Sequence, residues 1–184
     1  MDVLKLVKEA KQEIAASQKC LFDQFSDRLM LVCCRYLKSR EDAEEVLLDG
    51  FYKFFKNIGS FHYYSEAQLY AWLKKIMINE CLMMLRKKNV FTIVTEDAAE
   101  DIMLEEETLN SLSAKEIFEL IVQLPVGYRT IFNLHVIEGM NHKEIAALTG
   151  IAEGTSKSQL SKAKSLLQKK LLQNQAVYDT RKIK

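Results

Sequence analysis

The sequence contains few of the residues that interrupt helices. Its 184 residues include one proline and six glycines, whereas hydrophobic residues make up 48% of the chain. Long stretches carry apolar residues at helical spacing, and the short β-branched segment at residues 89–95 has no partner strand elsewhere. The sequence therefore predicts an all-α protein with a packed core.

Several functional classes lack their usual signatures. No apolar run is long enough to cross a membrane, and charged residues from Asp2 to Lys11 interrupt any signal-peptide core, which predicts a cytoplasmic protein. A glycine-rich phosphate loop is absent, and the scattered His62, His135 and His142 match no catalytic or metal-binding pattern. We therefore predict no catalytic residues, no metal, no cofactor and no small-molecule substrate.

The four cysteines do not have the spacing of zinc ligands. They are Cys20, Cys33, Cys34 and Cys81. Cys33 falls on an apolar helical face, which is typical of a small buried side chain. A redox switch formed by Cys33 and Cys34 is the less favoured alternative.

The net charge of +1 conceals an uneven distribution. Residues 91–111 contain seven acidic residues and no basic one, while the blocks on either side are mildly basic. This pattern indicates two domains that face nucleic acid, joined by an acidic linker. The predicted segments are a frayed helical extension (1–18), an N-terminal helical domain (19–90), an extended or disordered linker (91–111), a C-terminal helical domain (112–172) and a tail (173–184).

A helix predicted to start after Ser39 has an unusual outer face. Its inner stripe is apolar, and its outer face is mainly acidic but includes Leu48 and Tyr52. One exposed apolar residue has no significance. Two in register, surrounded by acids, suit the docking of a partner helix, and chance exposure is the alternative.

An aromatic loop precedes a basic helix. Ser65 and Gln68 have capping-box spacing, and the helix after them extends to about Lys88. We expect Phe61 and Trp72 in the core. The aromatic loop is the segment between Asn57 and Ser65, and its other rings include Tyr63 and Tyr64. These tyrosines and the basic face of the helix suit single-stranded nucleic acid, since bases stack on rings while Lys and Arg hold phosphates.

The stretch from Asn141 to Leu171 has the pattern of a helix-turn-helix. Asn141 and Glu144 have capping-box spacing, Gly150 ends the first helix, and a second helix begins near Glu153. We expect this second helix to turn its Ser, Lys and Gln residues away from the apolar stripe and toward DNA, with Gln159 reaching a base edge. An amphipathic helix pair with a solvated lysine face is the alternative. The helix from Tyr128 to Ile137, with Pro125 in its first turn, is expected to lead into the motif.

Two separate signatures resemble the sigma-70 family of RNA polymerase sigma factors, specifically the small extracytoplasmic-function group. The first runs through Arg40-Glu-Asp-Ala-Glu-Glu-Val46, Phe51, Trp72-Leu-Lys-Lys-Ile-Met-Ile-Asn79 and Leu85-Arg-Lys-Lys88, and is similar to region two. The second includes Leu124-Pro125, Arg129, Glu138-Gly139, Glu144-Ile-Ala146, Gly150-Ile151 and Glu153-Gly-Thr155, and is similar to region four. Together they cover residues 19–171. Ala152 departs from the family, which usually has a Ser cap there.

The resemblance implies a factor that directs core RNA polymerase to promoters and assists promoter melting. It implies docking on the clamp of the largest polymerase subunit through Asp42, Glu45, Leu48, Asp49 and Tyr52. It implies contacts to the melted minus-ten element through Phe61, His62, Tyr63, Tyr64, Lys74, Lys75, Asn79, Arg86 and Lys87. It implies contacts to the minus-thirty-five duplex through Thr155, Ser156, Lys157, Gln159, Ser161, Lys162 and Lys164. The expected partners are core polymerase and promoter DNA, and an anti-sigma factor attached to the membrane is a further candidate.

Two other classes of function are weighed against this one. The first is a self-sufficient helix-turn-helix regulator whose N-terminal block is a sensor or dimerisation module. The second is a cytosolic enzyme, which the missing catalytic patterns disfavour.

Overall fold

A computed structural model of the chain describes residues 2–88 and 114–182, with side chains of the second range described for residues 115–173. It divides into an N-terminal unit, Met1–Lys88, and a C-terminal unit, Asn89–Lys184. Every regular element in the described ranges is helical, which confirms the predicted all-α class. No helix there is long and apolar enough to cross a membrane. The predicted acidic linker lies outside the described residues.

The N-terminal unit contains four α-helices and one short 3-10 turn. The helices are α1 (Val3–Ala10), α2 (Ala15–Leu37), α3 (Arg40–Asn57) and α4 (Glu66–Lys87), and the 3-10 turn is Ile58–Ser60. Helices α2, α3 and α4 pack against one another around fully buried side chains such as Phe25, Tyr36, Phe54 and Leu73. The apolar stripes of α2 and α3 thus face the core, as helical periodicity predicts.

The predicted helix starts in this unit are confirmed. Ser39 Oγ accepts a hydrogen bond from the Asp42 N–H, and Ser65 Oγ accepts one from the Gln68 N–H, both at 3.2 Å. These bonds satisfy backbone donors that have no partner within the helix. At the second cap, Gln68 Oε1 accepts from the Tyr64 N–H rather than from Ser65, so the cap also fixes the end of the preceding loop.

The N-terminal segment was predicted to be a frayed helix, and this prediction was wrong. Val3, Leu6, Val7 and Ala10 of α1 are buried, and α1 packs against α2. The Asp2 side chain caps α1 by accepting from the Leu4 N–H at 3.0 Å. Within α1 the buried residues have the i, i+3, i+4, i+7 spacing of one helix face, and a helix of only eight residues is stabilised by such tertiary contacts rather than by its own propensity.

The buried cysteines are packing residues. Cys33 and Cys81 are fully buried, on α2 and α4 respectively. A hydrogen bond with Cys33, followed by burial, raises the pKa of Cys81 well above its ordinary value, and burial raises the pKa of Cys34. A raised pKa keeps the reactive thiolate scarce, so these thiols behave as hydrophobic groups.

The C-terminal unit contains the remaining helices. They are α5 (Ala114–Val122), α6 (Val126–Phe132) continued by a π-helical turn (Asn133–Ile137), α7 (His142–Thr149) and α8 (Glu153–Lys182). Pro125 is the N-cap of α6, one position before the predicted first turn. The backbone of α8 extends to Lys182, so most of the segment predicted as a separate tail continues this helix.

A buried arginine joins α5 to α6. Arg129 is 2% exposed, and its Nη1 donates to the carbonyls of Val122 at 3.0 Å and Leu124 at 3.2 Å. Val122 is the last residue of α5, where helical acceptors lack partners, and Leu124 is in the turn that follows. Burial lowers the pKa of Arg129 to about 10, so the guanidinium stays charged at neutral pH.

The predicted helix-turn-helix is confirmed. Asn141 and Glu144 form a reciprocal capping box at the start of α7. Gly150 ends α7 with φ of 80°, a left-handed conformation that glycine adopts without a Cβ clash. The Ser156 N–H donates to the Ala152 carbonyl at 3.0 Å, which places Ala152 at the N-cap of α8.

Candidate nucleic-acid and partner interfaces

The aromatic loop and α4 enclose an open pocket in the N-terminal unit. Its volume is about 380 Å³. It is lined by Ser60, Phe61, His62, Tyr64, Gln68 and Trp72. Phe61 and Trp72 stack with ring centroids 4.7 Å apart and planes inclined by 9°. Phe61 is buried, whereas Trp72, which was expected in the core, is half-buried. Tyr64 is 79% exposed at the same pocket, so this pocket combines a stacked aromatic floor with an exposed ring.

The pocket refines the predicted roles of its aromatic residues. Phe61 is only 8% exposed, so it supports the pocket rather than offering a free ring. His62 and Tyr64 are exposed, as predicted, and Tyr63 is half-buried. Ser60 and Gln68 were not predicted as site residues. Gln68 precedes Trp72 by four positions, and this i, i+4 spacing was the available signal.

The polar residues predicted on α4 fall into two groups. Trp72, Lys75 and Asn79 have the spacing of a single helix face, and the last two are exposed, so this face continues from the pocket along α4. Lys74 is half-buried. Arg86 and Lys87 are exposed at the far end of α4, about 16 Å along the helix axis from Lys75.

The outer face of α3 presents the predicted apolar pair. Leu48 is 60% exposed and Tyr52 is 66% exposed. Glu45 and Asp49 are also exposed, and with that pair they have the spacing of one helical stripe. We call these four residues the α3 outer face. Asp42 differs from its prediction because it is half-buried and its carboxylate pairs with Lys88 at 2.5 Å.

The lysines of α8 are accessible. Lys157 and Lys164 are exposed and Lys162 is half-buried, and we call these three the recognition-helix lysines. Lys157 pairs with Glu153 at 2.7 Å, an exposed i, i+4 contact. Ser161 is exposed and Thr155 is half-buried. These side chains are on the surface, where phosphate contacts can form.

Two residues predicted to face DNA are inside the C-terminal unit. Ser156 is fully buried, and Gln159 is 7% exposed. Gln159 packs against Gly127, where an added Cβ would be 3.2 Å from Gln159 Oε1. Ser156 and Gln159 lie one helical turn before Leu160 and Ala163, which are buried members of the apolar stripe. Both polar residues are therefore on the buried side of α8. The prediction was wrong because it followed residue polarity instead of the position on the helix.

Two histidines treated as scattered in the sequence are in contact. The rings of His135 and His142 stack with centroids 4.4 Å apart and planes inclined by 9°. His142 Nδ1 is 2.9 Å from Ser156 Oγ, and His135 Nδ1 is 2.8 Å from the Met140 carbonyl. Desolvation and the neighbouring His135 lower the pKa of His142. The two histidines and Ser156 connect the start of α7 to α8, which we call the recognition helix, and so fix its orientation.

The helix-turn-helix with its lysine-bearing second helix defines a helical DNA-binding protein, and the comparisons identify its family. Residues 21–90 match sigma-70 region 2, and residues 114–167 match sigma-70 region 4. The chain belongs to the sigma-70 family, in the extracytoplasmic-function group, and is a promoter-specific transcription initiation factor. Both units are matched, which disfavours the self-sufficient regulator.

Curated relatives match nearly the whole chain. The ECF RNA polymerase sigma factor SigW of Bacillus subtilis is 25% identical over 181 residues, covering 91% of this chain and 94% of that protein. The ECF RNA polymerase sigma-E factor of Haemophilus influenzae is 26% identical over 179 residues, covering 90% of this chain and 93% of that protein.

Among solved structures, the sigma factor RpoE from Bartonella quintana, in a co-crystal with the anti-sigma factor NepR, is similar to this chain. The identity is 26%, the TM-score is 0.48, and the match covers 84% of this chain and 96% of that one.

Proposed function

We propose that the N-terminal unit captures unpaired bases of the melted minus-ten element in the pocket between the aromatic loop and α4. The observation that carries this proposal is the open pocket of about 380 Å³ with Tyr64 exposed at its edge and the Phe61–Trp72 stack beneath it. Aromatic side chains stack on any base, and a pocket beside them can receive a base that has left the duplex. The Lys75 and Asn79 face continues from this pocket and suits the strand that carries the base.

Base capture explains promoter melting without covalent chemistry. Removing a base from the duplex costs a few kcal/mol, and stacking on an aromatic side chain returns roughly 1–3 kcal/mol per base. A factor that binds only the open form shifts the equilibrium by its differential affinity. In this proposal the protein acts by binding alone and is not an enzyme.

We further propose that the α3 outer face docks on core RNA polymerase, at the clamp of its largest subunit. Its two apolar side chains are surrounded by Glu45 and Asp49, an arrangement typical of an interface with an apolar centre and a polar rim. Asp42 is omitted from this surface because Lys88 already pairs with its carboxylate. A membrane-associated anti-sigma factor stays a predicted further partner.

In the C-terminal unit, we propose that the recognition-helix lysines contact phosphates of the minus-thirty-five duplex. No acidic residue follows Glu153 on α8 before Asp179, so the helix presents positive charge over several turns. Such contacts contribute affinity and fix orientation on the duplex. Ser156 and Gln159 are excluded from direct readout because both are buried.

The test of base capture is a double substitution of the loop tyrosines in the full chain. Tyr63→Ala with Tyr64→Ala should impair promoter melting, because a stacking loss of roughly 1–3 kcal/mol per base acts only on the open form. Permanganate reactivity of minus-ten thymines, measured with core polymerase on a cognate promoter, reports this melting.

The matched control replaces both tyrosines by phenylalanine, which keeps the rings and removes the hydroxyls. We expect nearly normal thymine reactivity in this control. Normal reactivity in the double alanine variant, with polymerase binding intact, would refute base capture by this loop.

A further inference from the structure

Lys11 connects the N-terminal helix to the aromatic loop. Its Nζ donates to the Phe61 carbonyl at 2.6 Å and approaches the Gly59 carbonyl at 3.4 Å. These acceptors are 50 and 48 residues further along the chain. A charged donor forms stronger hydrogen bonds than a neutral one, so this contact fixes the backbone at the start of the loop.

The support that carries Lys11 is itself fixed. Lys11 is the C-cap of α1, whose buried residues pack against α2. Ser17 Oγ donates to Glu9 Oε2 at 2.5 Å, and Gln18 Nε2 donates to the Ala10 carbonyl at 3.4 Å. The backbone that carries the exposed Lys11 side chain is therefore fixed by a packed corner between two helices.

The carbonyl that Lys11 binds belongs to the residue that forms the pocket floor. Phe61 stacks on Trp72, and both rings line the pocket. Fixing the Phe61 backbone keeps its ring within reach of Trp72, and the stack then maintains the shape of the pocket before any base arrives. Such preorganisation increases affinity because less ordering is needed on binding.

We propose that Lys11 is a positioning residue for the base pocket, acting through the Phe61 carbonyl. This inference rests on the proposed base capture. Lys11 lies before residue 21, where the match to sigma-70 region 2 begins, so the family match assigns it no role. Its ammonium holds the loop closed on α1 and keeps the Phe61–Trp72 stack in place.

Trp72 is the single tryptophan of the chain, which allows the pocket to be observed in the free protein. Lys11→Met in the full chain should increase acrylamide quenching of Trp72 because the Phe61 ring loses its anchor. Lys8→Met is the matched control, since Lys8 is exposed in the last turn of the same helix and has the same charge near the helix end. Lys11→Arg retains a charged donor and should restore quenching close to that of the unaltered protein.

The second readout is permanganate reactivity of minus-ten thymines with core polymerase. Lys11→Met should shift the melting equilibrium by about tenfold, which corresponds to about 1.4 kcal/mol, close to the value of one hydrogen bond from a charged group. Lys8→Met should have no effect, and Lys11→Arg should recover most of the loss. Circular dichroism of each variant verifies that the helices remain folded, and Lys11→Gln, which also removes the charged donor, replaces Lys11→Met in both measurements if the methionine variant unfolds.

The outcomes separate this inference from the proposed function. Increased quenching together with reduced melting, in Lys11→Met but not in Lys8→Met, supports the positioning role. If either quenching or melting is unchanged in folded Lys11→Met, the positioning role is overturned. Normal melting in the tyrosine-to-alanine double variant would instead refute base capture, whatever the quenching of Trp72 shows.

Discussion

Ser156→Ala distinguishes a buried structural serine from a DNA contact. Ser156 is fully buried, and its Oγ is 2.9 Å from His142 Nδ1. Removing one partner of such a bond costs about 1–3 kcal/mol, and the lower half of this range applies because the half-buried His142 can recruit water. Alanine regains about 0.5 kcal/mol of helix propensity. We therefore expect the free energy of unfolding of the C-terminal unit to fall by about 1 kcal/mol.

Amide hydrogen exchange of α7 and α8 in the full chain measures this loss. Trp72 is in the other unit, so its fluorescence does not report on it. A loss of about 1 kcal/mol should accelerate the slowest exchange roughly fivefold. The control is Ser158→Ala, because Ser158 is exposed and its Oγ donates only locally, to the Thr155 carbonyl. Unchanged exchange in Ser156→Ala, combined with weaker binding to minus-thirty-five duplex, would show that Ser156 faces DNA.

Four further predictions concern the surfaces and the C-terminal unit. Leu48→Ala should weaken binding to core polymerase roughly 5–30-fold in a binding titration, since burying a Leu that is 60% exposed contributes about 1–2 kcal/mol. The control is Leu172→Ala, because Leu172 is 54% exposed in the other unit and its loss should leave polymerase binding unchanged. Each recognition-helix lysine changed to Ala should lower the salt slope of duplex binding by about 1, and an unchanged slope in the triple variant would place α8 outside the groove. Ala152→Ser should raise the urea midpoint of the C-terminal unit, with a gain of about 0.5–2 kcal/mol from the added cap; an unchanged midpoint would contradict this. The pKa of His142 in the folded state is below its usual 6.5, so the unfolded state binds more protons, and the free energy of unfolding should decrease as pH falls below about 6.5. His142→Gln should flatten this pH dependence when unfolding is measured across pH. If the free energy of unfolding changes equally with pH in both proteins, His142 is not its source.

Features that depend on a few neighbouring residues could be predicted from the sequence. The caps at Ser39, Ser65 and Asn141 each need a side chain and a backbone N–H two or three positions away, and all three are present. Gly150 adopts the left-handed conformation expected at the end of α7. The exposed Leu48 also followed from helical periodicity alone. These predictions succeeded because the interactions are local and their geometry is set by the helix.

Features that depend on tertiary contacts could not be predicted in this way. The Lys11 contact joins residues 50 positions apart, and no periodic pattern relates a lysine to a distant backbone carbonyl. The stacked His135 and His142 are brought together by the bend between the π-helical turn and α7. The buried side of α8 was misassigned because buried polar residues keep their place through partners on other helices, such as His142 for Ser156.

The two units hold their proposed DNA-binding surfaces by different means, and this predicts different sensitivities. Beneath the pocket of the N-terminal unit, Phe54 packs against Trp72 in a mainly apolar core, where truncation of a side chain acts mainly through the cavity it leaves. The Lys11 contact adds one charged hydrogen bond at the start of the loop. Around the recognition helix, polar groups are buried: Arg129 donates to the end of α5, and His142 contacts Ser156. Removing one member of such a pair leaves the other without its partner. The resulting loss in free energy of unfolding depends on the protonation of the histidine as well as on the volume of the removed side chain. Mild acid should therefore loosen the orientation of α8 through His142, the partner of Ser156.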